Sequence, residues 1–124
     1  KAENPTVVSS SSIGPTNLGT RGIFIVAPGK NIISAKSDGL MNSFNEDTMS
    51  LTGTSMSTPI AASGAAIIQE MVQKGYFYSN NNSGFTPSGP LMKALLSLAT
   101  TTTTNSKAPN PSQGWGVLNL SEII

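Results

Sequence analysis

The residues with the clearest chemical potential are Gly53-Thr54-Ser55-Met56-Ser57-Thr58-Pro59, which run directly into the apolar residues 60–71. Such a turn against a helix start holds one hydroxyl at the helix's amino end. There the unpaired N–H groups and the positive end of the dipole favour an oxyanion or an approaching carbonyl oxygen. Ser55 is therefore the candidate nucleophile, and the plain alternative is a helix-capping hydroxyl. A serine needs a neighbouring base to take its proton, and histidine is the usual one near neutral pH. The sequence contains no histidine, so a base for Ser55 must come from elsewhere. It also contains no cysteine, which removes disulfides, thiolate zinc sites and thiol nucleophiles together.

The elements that must position Ser55 are legible on either side of it. Residues 48–52 alternate as a strand leading into Gly53. From Ser55 the spacing changes to helical, with Ile60, Gly64, Ile67, Ile68 and Met71 three and four apart. Ala61, Ala62, Ala65 and Ala66 make the rest of that helix small and apolar, which predicts packing on several sides. Pro59 is expected in its first turn, where a missing N–H costs little. Lys74-Gly75 supplies a stop.

Upstream, residues 1–21 are rich in Ser, Thr, Pro and Gly and predict an irregular or edge segment. Ile23-Phe24-Ile25-Val26, ended by Ala27-Pro28-Gly29, reads as a buried strand of a parallel sheet, with a short extended segment over 31–35. Residues 36–47 are expected as an exposed loop. Downstream, residues 76–89 form a loop through Asn80-Asn81-Asn82-Ser83-Gly84. Ser88 or Thr86 then caps a second helix entered through Pro90, with Leu91, Ala94, Leu95 and Leu98 on its apolar face. The threonines 100–104 predict an extended segment, and Gln113-Gly114-Trp115-Gly116 a tight return in which Trp115 is a packing residue. The order of elements predicts an α/β layer architecture.

Composition bounds the remaining options. With 37% hydrophobic and 10% charged residues, 124 residues suffice for one globular domain with a core. A net charge of +1 with no basic cluster gives no footprint for nucleic acid. No apolar stretch is long enough to span a bilayer. Glu46 and Asp47 read as a solvated loop pair, so no metal site is assigned. Asn81-Asn82-Ser83 and Asn119-Leu120-Ser121 fit the glycosylation triplet.

Residues 53–62 closely resemble the serine motif of the subtilisin-like serine proteases, the subtilases. Ser11-Ser12-Ile13-Gly14-Pro15, Val26-Ala27-Pro28-Gly29-Lys30-Asn31-Ile32 and Gln113-Gly114-Trp115-Gly116 are similar to three further family segments, in the same order. The resemblance implies a three-layer fold with a parallel sheet and a buried central helix after the nucleophile. Residues 1–124 would form the C-terminal segment of the catalytic domain. It further implies serine endopeptidase activity through an acyl-enzyme, with Ser55 as nucleophile and its N–H as oxyanion donor. Gly53 and Thr54 would shape the turn, Met56 would pack behind the serine as an oxidation-sensitive neighbour, and Pro59 would begin the helix.

The triad order Asp, His, Ser places both partners of Ser55 before Lys1, together with the oxyanion Asn, which is not assigned to Asn31, Asn42 or Asn45. The N-terminal part of the domain is thus the implied partner, a peptide or protein the substrate, and this chain alone is expected to be inactive. No cofactor is required. Structural calcium occurs in the family but is not assignable here, and a secreted or endomembrane location is implied. Residues 18–24 depart from the Asp-Gly-x-x-Lys-Pro-Asp-like stretch of one branch of the family. The rival readings are a non-catalytic subtilase-like module for peptide binding or adhesion and an ordinary structural α/β fragment.

Overall fold

The structure, a computed structural model, describes residues 5–77, 83–103 and 107–124. Two strands, β1 (Ile32–Ala35) and β2 (Thr48–Leu51), lead into a 20-residue helix α1 (Thr54–Gln73), followed by α2 (Gly89–Leu98). Then come β3 (Thr100–Thr101), β4 (Val117–Leu118) and a short 3-10 turn over Leu120–Glu122. Of the loop expected between the helices, residues 78–82 lie outside the described residues, as does the Asn81 end of its glycosylation triplet.

β1 and β2 form an antiparallel hairpin, with Ile32 opposite Leu51 and Ala35 opposite Thr48. Lys36 and Asp47 close its loop end through a backbone bond of 3.0 Å and a 3.9 Å ion pair. The expected loop carries Leu40, Met41 and Phe44 exposed at its tip. β3 and β4 form a second antiparallel pair.

The strand expected over 23–26 is extended backbone with one parallel bridge, Val26 to Val117. Val26 donates to Gly116 O and accepts from Leu118 N, both at 2.9 Å, and Trp115 N bonds Phe24 O at 2.8 Å. These bonds occupy one edge. Among the described residues, no partner meets the backbone groups of half-buried Ile25 and Ala27 on the other. The run falls short of a regular strand because Val26 to Val117 is a single bridge and not a continued ladder.

α1 confirms the helical spacing. It ends at Lys74, followed by Gly75 at φ 73°, and Lys74 pairs with Glu70 at 2.5 Å. Two expectations for it require correction. Its buried residues are Gly64, Ile68 and Val72, a single face, against which α2 and Leu118 pack. Pro59 is the sixth helical residue rather than part of the first turn, because the helix begins immediately after Gly53. Proline there has no N–H to give to the Ser55 carbonyl four residues earlier, and its ring crowds that carbonyl. The backbone just behind Ser55 is therefore less tightly laddered than a regular helix.

α2 begins as expected at Ser88, whose hydroxyl accepts from Leu91 N at 3.4 Å, with Pro90 following. The small core of the described residues centres on Ile68, Val72 and Ala99. Beside it, Gln113 is fully buried, and its Oε1 accepts from both Thr103 N and Thr103 Oγ1 at 2.7 Å.

Candidate active site

Ser55 sits on the second residue of α1 and is exposed. Among the described residues its hydroxyl meets no hydrogen-bond partner, so it neither caps the helix nor is tied to a loop. The neighbouring hydroxyls are committed instead. Ser57 Oγ donates to Thr54 O at 3.2 Å, and Thr58 Oγ1 donates to the same carbonyl at 2.8 Å. The residue before the helix is Gly53, which has no side chain to cap with. Its carbonyl accepts from Met56 N at 3.1 Å and Ser57 N at 3.4 Å. The N–H groups of Thr54 and Ser55 are left without acceptors among the described residues, the usual condition of a helix's first turn.

A free hydroxyl beside a free N–H at a helix start is suited to attack a carbonyl and then hold the oxygen that becomes negative. The chain holds no histidine to serve as a base for Ser55. Lys30, Thr54 and Ser57 line a cleft of about 550 Å³, with Val7, Val26 and Val117 on its other walls. Ser55 itself lies outside that lining.

The other singled-out residues take distinct places. Gly53 is in extended backbone, φ 162° and ψ 170°, which any residue adopts, so the turn is not strained there. Its role is a tie: Gly53 N donates to Gly29 O at 2.8 Å. Met56 is half-buried, with its sulfur 3.8 Å from the space a side chain at Gly53 would take. The contact that does demand glycine is at Gly29, and sequence reasoning missed it. A Cβ there would lie 2.9 Å from both Gly53 O and Ser57 Oγ. Sequence offers only the Ala-Pro-Gly spacing as a signal, because the approach joins residues more than twenty apart. Asn31 is held nearby, its N–H donating to Thr52 Oγ1 at 2.9 Å.

Asn119, the second glycosylation triplet's acceptor, gives its amide to Thr101 Oγ1 at 2.8 Å and Glu122 Oε1 at 3.2 Å. Among the described residues, no group of three His, Cys, Asp or Glu side chains gathers to hold a metal ion, and no helix is long and apolar enough to cross a membrane.

Comparison with known proteins finds serine proteases. Over 95% of its length, the chain is 33% identical to "Serine protease/ABC transporter B family protein tagD" of Dictyostelium discoideum, of which it spans 8%. Over 54% of its length it is 43% identical to "Serine protease AprX" of Bacillus subtilis (strain 168), covering 17% of that protein. Among solved structures, the CspB protease of Clostridium perfringens superposes with a TM-score of 0.56 at 25% identity, over 77% of this chain and 18% of that one. The prenylagaramide maturation protease PagA superposes with a TM-score of 0.51 at 27% identity, over 79% and 30%. The family model for the subtilase family, peptidase S8, matches residues 1–116. A match over nearly the whole length shows the family: the chain belongs to the subtilases.

Proposed function

We propose that this chain carries the nucleophile of a serine endopeptidase that cleaves peptide bonds through an acyl-enzyme. The observation that carries the reading is Ser55 in the first turn of α1, with both its hydroxyl and its backbone N–H unengaged among the described residues. Ser55 Oγ attacks the scissile carbonyl as a histidine outside these 124 residues takes its proton and returns it to the leaving amine. An aspartate, also outside, orients that histidine. The Ser55 N–H and an asparagine outside the chain hold the tetrahedral oxyanion, and water then releases the acyl group. The reaction needs no cofactor. Gly53 and Thr54 fix the turn, Met56 packs behind it, and Pro59 loosens the ladder at the Ser55 carbonyl.

The partner in this reading is the N-terminal part of the same catalytic domain, and the chain by itself is inactive. The open backbone edge at Ile25 and Ala27, facing away from β4, supports a further strand there and hence the parallel sheet of a three-layer fold. The same completion would bury the remaining faces of α1. A secreted or endomembrane location accompanies this reading.

Peptide hydrolysis by the full-length protein tests it. Hydrolysis abolished by Ser55→Ala, with peptide binding retained, is expected. Peptide binding without turnover in the unaltered protein would support a non-catalytic binding module instead.

A further inference from the structure

Two close contacts fix α1 against the same strip of chain. At one, Gly29 packs on Gly53 O and Ser57. At the other, the Leu118 side chain sits over Gly64, so that a Cβ added at Gly64 would lie 2.5 Å from Leu118 Cδ2 and 3.4 Å from Cδ1. The strip is continuous through hydrogen bonds. Leu118 N donates to Val26 O, Val26 N donates to Gly116 O, and Val26 leads through Ala27 and Pro28 to Gly29. Leu118 is also paired with Thr100 in β4, so its backbone is anchored from two sides.

The spacings match. Extended backbone from Val26 to Gly29 spans about 10 Å at roughly 3.3 Å per residue. Helix from Ser57 to Gly64 also spans about 10 Å at roughly 1.5 Å per residue. The strip and the helix therefore lie side by side and touch at both ends through glycines, with the nucleophile turn at one end.

We propose that Gly64 and Leu118 are positioning residues for Ser55. Leu118 seated on Gly64 sets how closely the body of α1 approaches the strip, while the Gly29 contact sets the turn, and the two together fix where the Ser55 hydroxyl points. Gly64 is the ninth residue after Ser55 on the same helix, which continues through Pro59, so a displacement at Gly64 pivots the helix about the Gly29 contact. Packed interiors pass such shifts on instead of absorbing them. The proposal rests on the serine protease reading of Ser55.

The test is a double-mutant cycle in the full-length protein, read by peptide hydrolysis and by the rate of fluorophosphonate labelling of Ser55. Gly64→Ala is expected to lower kcat and the labelling rate by about tenfold or more, the scale on which sub-ångström to ångström misplacement acts. KM should stay within about twofold and the circular dichroism spectrum should be unchanged. Gly64→Ala/Leu118→Ala, which returns the lost space, is expected to recover most of the rate. A contact that only stabilises the fold would lower the unfolding midpoint and leave kcat intact well below it, which would overturn the proposal. So would a loss of rate that trimming Leu118 does not recover. If Gly64→Ala does not fold, Leu118→Ala alone decides, since an emptied groove is expected to lower kcat and unchanged kcat overturns the idea. An unaltered protein that does not label overturns the nucleophile reading and this proposal together. An unaltered protein that labels beside an unaffected Gly64→Ala overturns this proposal alone.

Discussion

Gly29→Ala is the perturbation whose consequence follows most directly from the contacts around the turn. The added methyl would lie 2.9 Å from Gly53 O, 2.9 Å from Ser57 Oγ and 3.3 Å from Ser57 Cβ. Ordinary contact begins near 3.4 Å, so the turn must open by about 0.5 Å (3.4 − 2.9) to admit it. Ser57 Oγ can rotate away at the loss of its bond to Thr54 O, but Gly53 O is backbone. It moves only with the carbonyl that receives Met56 N and Ser57 N, and with the N–H that bonds Gly29 O. Crowding of this kind costs about 1–3 kcal/mol. Weakening the Gly53–Gly29 bond adds about 1 kcal/mol. The expected loss is therefore about 2–4 kcal/mol in urea unfolding of the folded catalytic domain, with unchanged denaturant slope. A Ser57→Ala change in the same background should recover little of it, because the Gly53 overlap remains. A Gly29→Ala protein within about 0.5 kcal/mol of the parent, the range of an ordinary surface change, would refute this reasoning.

Two further outcomes concern the frame around the site. Gln113→Leu leaves the Thr103 N–H and hydroxyl buried without their shared acceptor and should cost about 2–4 kcal/mol in denaturant unfolding. Thr103→Val, which removes only the hydroxyl, should cost less, and a reversed order would contradict the geometry. The Glu70–Lys74 pair predicts a pH effect. Its hydrogen bond and charge attraction to Lys74 hold the Glu70 carboxyl below its usual value. A carboxyl depressed in the folded state adds stability above its unfolded value, near 4.5, and loses it as pH falls through the lower folded one. Because the pair is exposed, the effect should be small and screened by salt. Thermal melts from pH 6 down to pH 2 should show that increment in the parent and not in Glu70→Gln. An identical pH dependence in both would rule the pair out.

Much of the frame was written locally. The change from alternation over 48–52 to three-and-four spacing after Ser55 located β2 and α1, and Ser88 with Pro90 located the start of α2. Local signals stopped at contacts between distant segments. The Ala-Pro-Gly stretch marked a strand exit, but not that Gly29 must lack a side chain because Gly53 O and Ser57 approach it. The threonine run read as an extended segment and Gln113 as part of a tight return, and only the meeting of Thr103 with Gln113 across ten positions makes them a buried pair. Pro59 was misplaced because the helix begins at Thr54, directly after the extended Gly53, which makes Pro59 its sixth residue. The several-sided burial expected of α1 was inferred from its alanines. Small residues permit close packing but do not supply the layer that packs.

The identity of the nucleophile is tested most directly by mapping a fluorophosphonate adduct in the full-length protein. Trypsin releases residues 37–74 as one peptide, bounded by Lys36 and Lys74 and carrying Ser50, Ser55, Ser57 and Ser63 among its serines. The account predicts one adduct, located by fragmentation at Ser55, absent after denaturation and absent in Ser55→Ala. An adduct that persists in Ser55→Ala, or that maps to Ser57 or another serine, would contradict it.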